Sequence, residues 1–217
     1  KMSVTMATAL DGTSVLKVME DKASYIKHDQ LFKQIIEHFF EEFLEAFFPA
    51  LHEEIDFEKI TFLSEELFTE VFDGDKQVLD LVVEVKWRET NALIVVHIEP
   101  QSYVQTDFNV RMFKYFSALY QKVQKPIIPI AVFSYEGGWE KNDFYMRFGD
   151  IEVLRFHYLT LHLRKQNWRT FMKKDNPVSA ALLSKMGYTE DERVKVKLEF
   201  FQILTRLKMV KNLNLLD

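Results

Sequence analysis

The chain has 217 residues, 47% of them hydrophobic, a formal net charge of −5 and no cysteine. Disulfides and thiolate metal sites are therefore excluded, and there is enough apolar material for one sizeable core. The mild acidity counts against a purely electrostatic nucleic-acid binder, though a local basic face is compatible with it. Any metal must be held by carboxylates, carbonyls, imidazoles or water, which favours Mg2+ or Mn2+ over structural zinc. No apolar run reaches the roughly 18 residues of a membrane helix, so no membrane association is expected. The N-terminal order of residues is not that of a signal peptide, and a cytoplasmic location is expected.

Residues 1–25 show weak periodicity and read as an N-terminal arm. A helix is then expected from Asp29, which suits an N-cap, to Phe47. Leu31, Phe32, Ile35, Ile36, Phe39, Phe40, Phe43, Leu44 and Phe47 recur at three/four spacing, and Pro49 ends the pattern. Strands are expected at 66–72, 78–87 and 92–99, separated by the turn Asp73-Gly74-Asp75 and the polar stretch 88–91. Residues 107–123 read as a second helix. Ile127–Phe133 is apolar throughout, which suits a buried strand, although Pro129 is unusual there. Gly137-Gly138 closes that element. A further strand is expected at 153–158, with helical pattern from Leu161 onward and one long helix over 192–210. The order is helix, three antiparallel strands, helix, strand, then further helices: a mixed α/β fold with a helical crossover.

The sharpest chemical feature is Val95-Val96-His97-Ile98-Glu99-Pro100-Gln101-Ser102. Residues two apart on a strand share a face, so Glu99 and Gln101 point together if the chain stays extended through Pro100. Asp80 is the second feature, a lone acid in an apolar stretch. A buried carboxylate is costly unless something compensates it, and a divalent cation would do so. Two carboxylates from neighbouring strands would make a minimal oxygen site for Mg2+ against a phosphate. The plainer alternative is an Asp bonded to a turn and a solvated strand-end Glu. Glu84-Val85-Lys86 is a rival, a literal Glu-x-Lys with Asp73 or Asp75 upstream; Glu84 and Lys86 also serve as candidate accessory residues. His28 and Lys33, at the start of the first helix, and Arg111 and Lys114, near the start of the second, are candidate phosphate contacts. Capping and surface charge are the alternatives for these. Glu37 and Glu41, on the first helix, read as solvated-face residues. His97 shares the face parity of Glu99. Arg193, Lys195, Lys197, Arg206, Lys208 and Lys211 lie on the C-terminal helix, where nearby acids dilute their charge.

In this order and frame, Asp80, Glu99 and Gln101 resemble the site of the PD-(D/E)XK nuclease superfamily. The resemblance is closest to the recombination-promoting nuclease/putative transposase family. It rests on His28-Asp29-Gln30-Leu31-Phe32-Lys33, Val78-Leu79-Asp80-Leu81, His97-Ile98-Glu99-Pro100-Gln101-Ser102, Arg111-Met112-Phe113-Lys114-Tyr115 and Pro126-Ile127-Ile128-Pro129-Ile130. It covers about residues 25–160, and the segment 177–187 is similar to the family's C-terminal helical part. The resemblance implies a restriction-endonuclease-like core over 26–160 with a C-terminal helical extension over 161–217. It also implies a Mg2+- or Mn2+-dependent DNA endonuclease linked to recombination. Asp80 and Glu99 would hold the metal with the carbonyl of Pro100. Glu37 or Glu41 could also reach it, as helix-one acids do in some superfamily members. Gln101 stands where many superfamily members carry Lys; it can orient an attacking water but supplies no charge. The alternative is a catalytically degenerate module of the same fold that binds nucleic acid or protein. DNA is the expected partner, and cutting two strands with one site per chain would favour a homodimer.

Overall fold

The computed structural model describes residues 33–63, 81–87, 90–99, 107–134, 141–172, 176–199, 201, 202 and 205. Residues 33–38 are helical, and Phe39 interrupts the helix with φ −128° and ψ 48° before α1 (Phe40–Phe47). The single helix expected up to Phe47 is thus broken at Phe39, and both Phe39 and Phe40 pack on the core. Glu41 and Glu42 occupy the first turn of α1, where negative charge suits the helix dipole. Phe40, Phe43 and Leu44 are its buried face. Pro49, at the first turn of the short α2 (Pro49–His52), needs no hydrogen-bond partner there.

Three strands follow: β1 (Ile55–Phe62), β2 (Leu81–Trp87) and β3 (Thr90–Glu99), each antiparallel to the next. The crossover helix α3 (Phe108–Val123) leads to β4 (Ile127–Phe133), which runs parallel to β3. This is the helix, three antiparallel strands, helix, strand order read from the sequence. The first of these strands, Ile55–Phe62, was not expected from the sequence, and the expected strand at 66–72 lies outside the described residues. After β4 come the hairpin strands β5 (Asp143–Phe148) and β6 (Ile151–His157), then β7 (Leu159–His162), parallel to β4. The main sheet has the order β1-β2-β3-β4-β7, and β5-β6 form a separate two-stranded sheet. The expected strand at 153–158 is therefore one arm of a hairpin. The helical pattern expected from Leu161 is preceded by a strand that reaches His162.

Alternation divides the main sheet into two faces. Leu81, Val83, Val85, Ile94, Ile130, Val132 and Leu161 lie in one cluster with α1, α4 (Trp168–Phe171) and α5 (Pro177–Leu182). The other face is covered by α3: Val82 packs with Tyr115 and Leu119, and Ala131 and Phe133 pack with Phe108 and Met112. Coverage on both faces explains why β4 reads as a continuous apolar run. Pro129 is tolerated because pairing of β4 with β7 begins only at Ile130, so one flank has no ladder at that point.

The C-terminal part closes the first face. Trp168 is fully buried among Val178, Ala180, Met186 and Val196. Asn176 caps α5, with Oδ1 accepting from Ser179 N at 2.9 Å. Its Nδ2 donates to the Glu42 carbonyl at 2.9 Å and so ties α5 to α1. Gly187 lies so close to the chain at Arg164 that an added Cβ would sit 2.3 Å from that carbonyl oxygen. Thr189 and Glu192 form a capping box before the helical residues 193–199, and Glu192 also pairs with Arg169. Among the described residues, no helix is long and apolar enough to cross a membrane.

Candidate functional site

One end of the main sheet collects the elements that carry the candidate residues. β2 begins at Leu81, directly after Asp80 in the chain, and Leu81 stands opposite Val96 of β3. β3 continues past that point to Glu99, about 10 Å further at the usual rise per residue. The start of β2 and the end of β3 therefore lie at the same end of the sheet. Asp80, Pro100 and Gln101 themselves lie outside the described residues, as does His28.

The end of β3 is also in register with two parallel neighbours. Glu99 pairs with Phe133 of β4, and Phe133 pairs with His162 of β7. These three positions form one row across strands spaced about 4.8 Å apart. The Phe133 ring stacks on the His162 imidazole, with centroids 4.7 Å apart and planes at 21°. From the other side, Phe108 meets Phe133 edge-on at 5.1 Å. The Arg111 guanidinium lies 5.1 Å from the centre of the Phe108 ring. Arg111, a candidate phosphate contact, is thus brought to the Glu99 end of the sheet by the first turn of α3. Lys114 lies on the same helix, exposed.

Glu84 and Lys86 are not gathered there. Glu84 stands opposite Leu93 and pairs with Lys125, Nζ to Oε2 at 2.8 Å. Lys86 stands opposite Asn91, near the far end of β2 and roughly 16 Å along the strand from Leu81. Glu41 lies on α1, with an oxygen 3.7 Å from His52 Nε2. Glu37 is exposed and Lys33 partly buried in the helical segment 33–38. Among the described residues, no group of three or more His, Asp or Glu is placed to hold a metal ion.

His162 was not singled out by the sequence reading. A signal existed in Leu159-Thr160-Leu161-His162, where alternation of apolar and polar residues marks a short strand. Leu161 is buried on the α1 face and His162 takes the other. The β5-β6 hairpin is anchored beside this end: Asn109 Nδ2 of α3 donates to the Asp143 carbonyl at 3.0 Å, and Tyr158 Oη donates to the Lys141 carbonyl at 2.7 Å. At the hairpin's outer part, Glu152 accepts from both Arg155 and Arg147. The Arg155 hydrogen bond is the main cause holding the Glu152 carboxyl below its ordinary value, with partial desolvation opposing it.

Comparison with curated proteins and with solved structures gave no match. Comparison with family models gave one over residues 26–159, the family described as "Putative transposase, YhgA-like". That match spans more than half of the chain and takes in α1, the first four strands of the main sheet and the hairpin, so the chain belongs to the YhgA-like transposase family.

Proposed function

We propose that the chain is a metal-dependent DNA endonuclease with a restriction-endonuclease-like core, acting in the recombination chemistry of its family. One observation carries this reading. The register of Leu81 against Val96, with β3 running on to Glu99, sends the chain from Asp80 and the chain toward Gln101 through one end of the sheet. Family membership and the order of helix, antiparallel strands, crossover helix and parallel strand add support.

The donor set fits a hard divalent cation. Asp80 and Glu99 offer carboxylate oxygens, Pro100 a carbonyl, and the chain contains no thiolate that would select a softer metal. A bound Mg2+ or Mn2+ supplies positive charge to the scissile phosphate and acidifies a bound water. In this reading Asp80, Glu99 and the Pro100 carbonyl hold the ion. The Gln101 amide orients the attacking water through hydrogen bonds, without the charge that a Lys would bring. Arg111 and Lys114 contact the backbone phosphates from α3. A pair of chains would cut both strands.

The test is cleavage of supercoiled plasmid in Mg2+ or Mn2+ by the wild type, Asp80→Ala and Glu99→Ala. The wild type should nick or linearise the plasmid and both variants should lose metal-dependent cutting. Cleavage that persists in both variants would sink the site. A second reading is favoured by Gln101 in place of a charged residue: a nuclease-fold module that binds DNA without cutting it. Binding by a wild type that does not cleave would establish that reading instead.

A further inference from the structure

We infer that the outer half of the β5-β6 hairpin is the surface through which two copies of this chain associate. The inference rests on the cleavage reading for its purpose, since it gives the pair of chains that would cut both strands a place to meet. Phe144, Met146 and Phe148 lie on one side of β5, and their partners Phe156, Leu154 and Ile151 lie beside them on β6. Tyr145, Arg147, Glu152 and Arg155 take the other side, where Glu152 accepts from both arginines. A bulge keeps the first face apolar. Pairing passes from Met146–Leu154 to Arg147–Glu152, so Val153 is an extra residue on β6. Without it, alternation would put Glu152 on the apolar face and Ile151 on the charged one.

α3 covers only the base of this face. Phe113 stacks on Phe144 at 5.0 Å, and Phe113 and Phe116 meet Phe156 at 5.5 and 4.9 Å. Further out, Met146, Phe148 and Ile151 are 40%, 71% and 67% exposed. At roughly 200 Å2 per large side chain, they leave about 350 Å2 of apolar surface on each chain, or about 700 Å2 for two faces laid together. A polar rim adds to that figure, and the total stands at the small end of specific interfaces, which fits a weak dimer. Charge decides between a second copy and DNA. A duplex must be met by cations. Among the described residues the uncovered face carries no charged side chain, and the turn between Phe148 and Ile151 contains Asp150. Arg147 and Arg155 are paired with Glu152 on the opposite side. For a second copy the same lack of charge is favourable, because no like charges meet when the face packs on itself about a two-fold axis.

The test is sedimentation velocity of the full chain, without metal or DNA, over roughly 1–200 µM, where weak dimers form. The wild type should pass from monomer towards dimer across this range. Phe148→Glu and Phe148→Lys each set like charges face to face and should raise the Kd by about tenfold or more. Residue 148 is exposed, so both variants should keep the thermal midpoint of the wild type. An equal mixture of the two should recover dimer, because opposite charges then meet. Val194→Glu alters another exposed apolar residue, on the helical segment 193–199, and should dimerise like the wild type. A wild type that stays monomeric throughout the range would overturn the inference. So would dimers that persist in both Phe148 variants, or a mixture that sediments no differently from either variant alone. Loss of dimer in Val194→Glu with its retention in Phe148→Glu would overturn it too, moving the interface to that helix. Failure of the cleavage reading is seen separately, in plasmid assays of the wild type, Asp80→Ala and Glu99→Ala, and does not alter the sedimentation result.

Discussion

Glu84 and Lys125 form an ion pair, 2.8 Å from Nζ to Oε2, between the middle of β2 and the turn that leads from α3 into β4. The pair gives Glu84 a structural occupation, and Lys86 lies further still from the end of the sheet where β3 finishes. Both side chains are partly exposed, so solvent screens the pair. A double-mutant cycle of Glu84→Gln and Lys125→Met in urea unfolding should give a coupling of about 0.2–1 kcal/mol. A coupling of several kcal/mol would mean that the pair is far better desolvated than its exposure indicates.

The contrast between β4 and β1 shows what local pattern can and cannot reveal. β4 was legible because both faces of the sheet are covered, so every residue from Ile127 to Phe133 is apolar and Lys125-Pro126 marks its start. β1 was not. Its apolar residues Ile55, Phe57, Ile60 and Phe62 change phase at Glu58-Lys59, and the pairing with β2 shifts register between Asp56 and Thr61. An irregularity of that kind breaks the period-two signal that identifies a strand. The candidate site divides in the same way. Asp80, Glu99 and Gln101 stand out as residue types in an apolar setting. The row Glu99–Phe133–His162 arises from parallel pairing across long stretches of chain, and no window of sequence contains it.

Asn176 is the joint between α5 and α1. It is nearly fully buried, and its two polar atoms serve two elements: a cap on Ser179 N and a tether to the Glu42 carbonyl. Asn176→Ala should cost about 2 kcal/mol, roughly 1 for the cap and 1 for the tether. Asn176→Ser keeps a capping oxygen but cannot reach across, so it should lose about half as much. Chemical denaturation of the two variants checks the ratio; equal losses would show that the cap contributes nothing, and an unaffected Asn176→Ser that the tether contributes nothing.

Glu152 makes the β5-β6 hairpin sensitive to acid. Its carboxyl lies below its ordinary value because Arg155, and then Arg147, favour the charged form. The folded-state value is therefore lower than the unfolded one. The stabilisation is fully present above the ordinary carboxylate range and is lost as pH falls through the lowered folded value. The group is exposed, so the effect should be small and confined to the hairpin. Amide exchange at residues 146–154 should quicken on acidification in the wild type. In Glu152→Gln it should already be faster at neutral pH and show less of that acid dependence. A hairpin whose exchange ignores both the substitution and the acid would show that the two arginines do not hold it.

In the proposed site Gln101 would tune the rate and leave metal binding to Asp80 and Glu99. Asp80 and Glu99 would bind the ion, so their removal should abolish metal-dependent cutting. Gln101 would only orient water, and one neutral hydrogen bond contributes about 1 kcal/mol, or somewhat under tenfold. Gln101→Ala should therefore lower kcat by roughly five- to tenfold and leave the Mg2+ concentration for half-maximal cleavage unchanged. Gln101→Lys restores a charge beside the phosphate and should raise kcat, since a cation stabilises the charge that develops in the transition state. The two variants move the rate in opposite directions only if position 101 faces the reacting water. Parallel losses in both, with a shifted metal requirement, would instead make Gln101 part of the metal-binding shell.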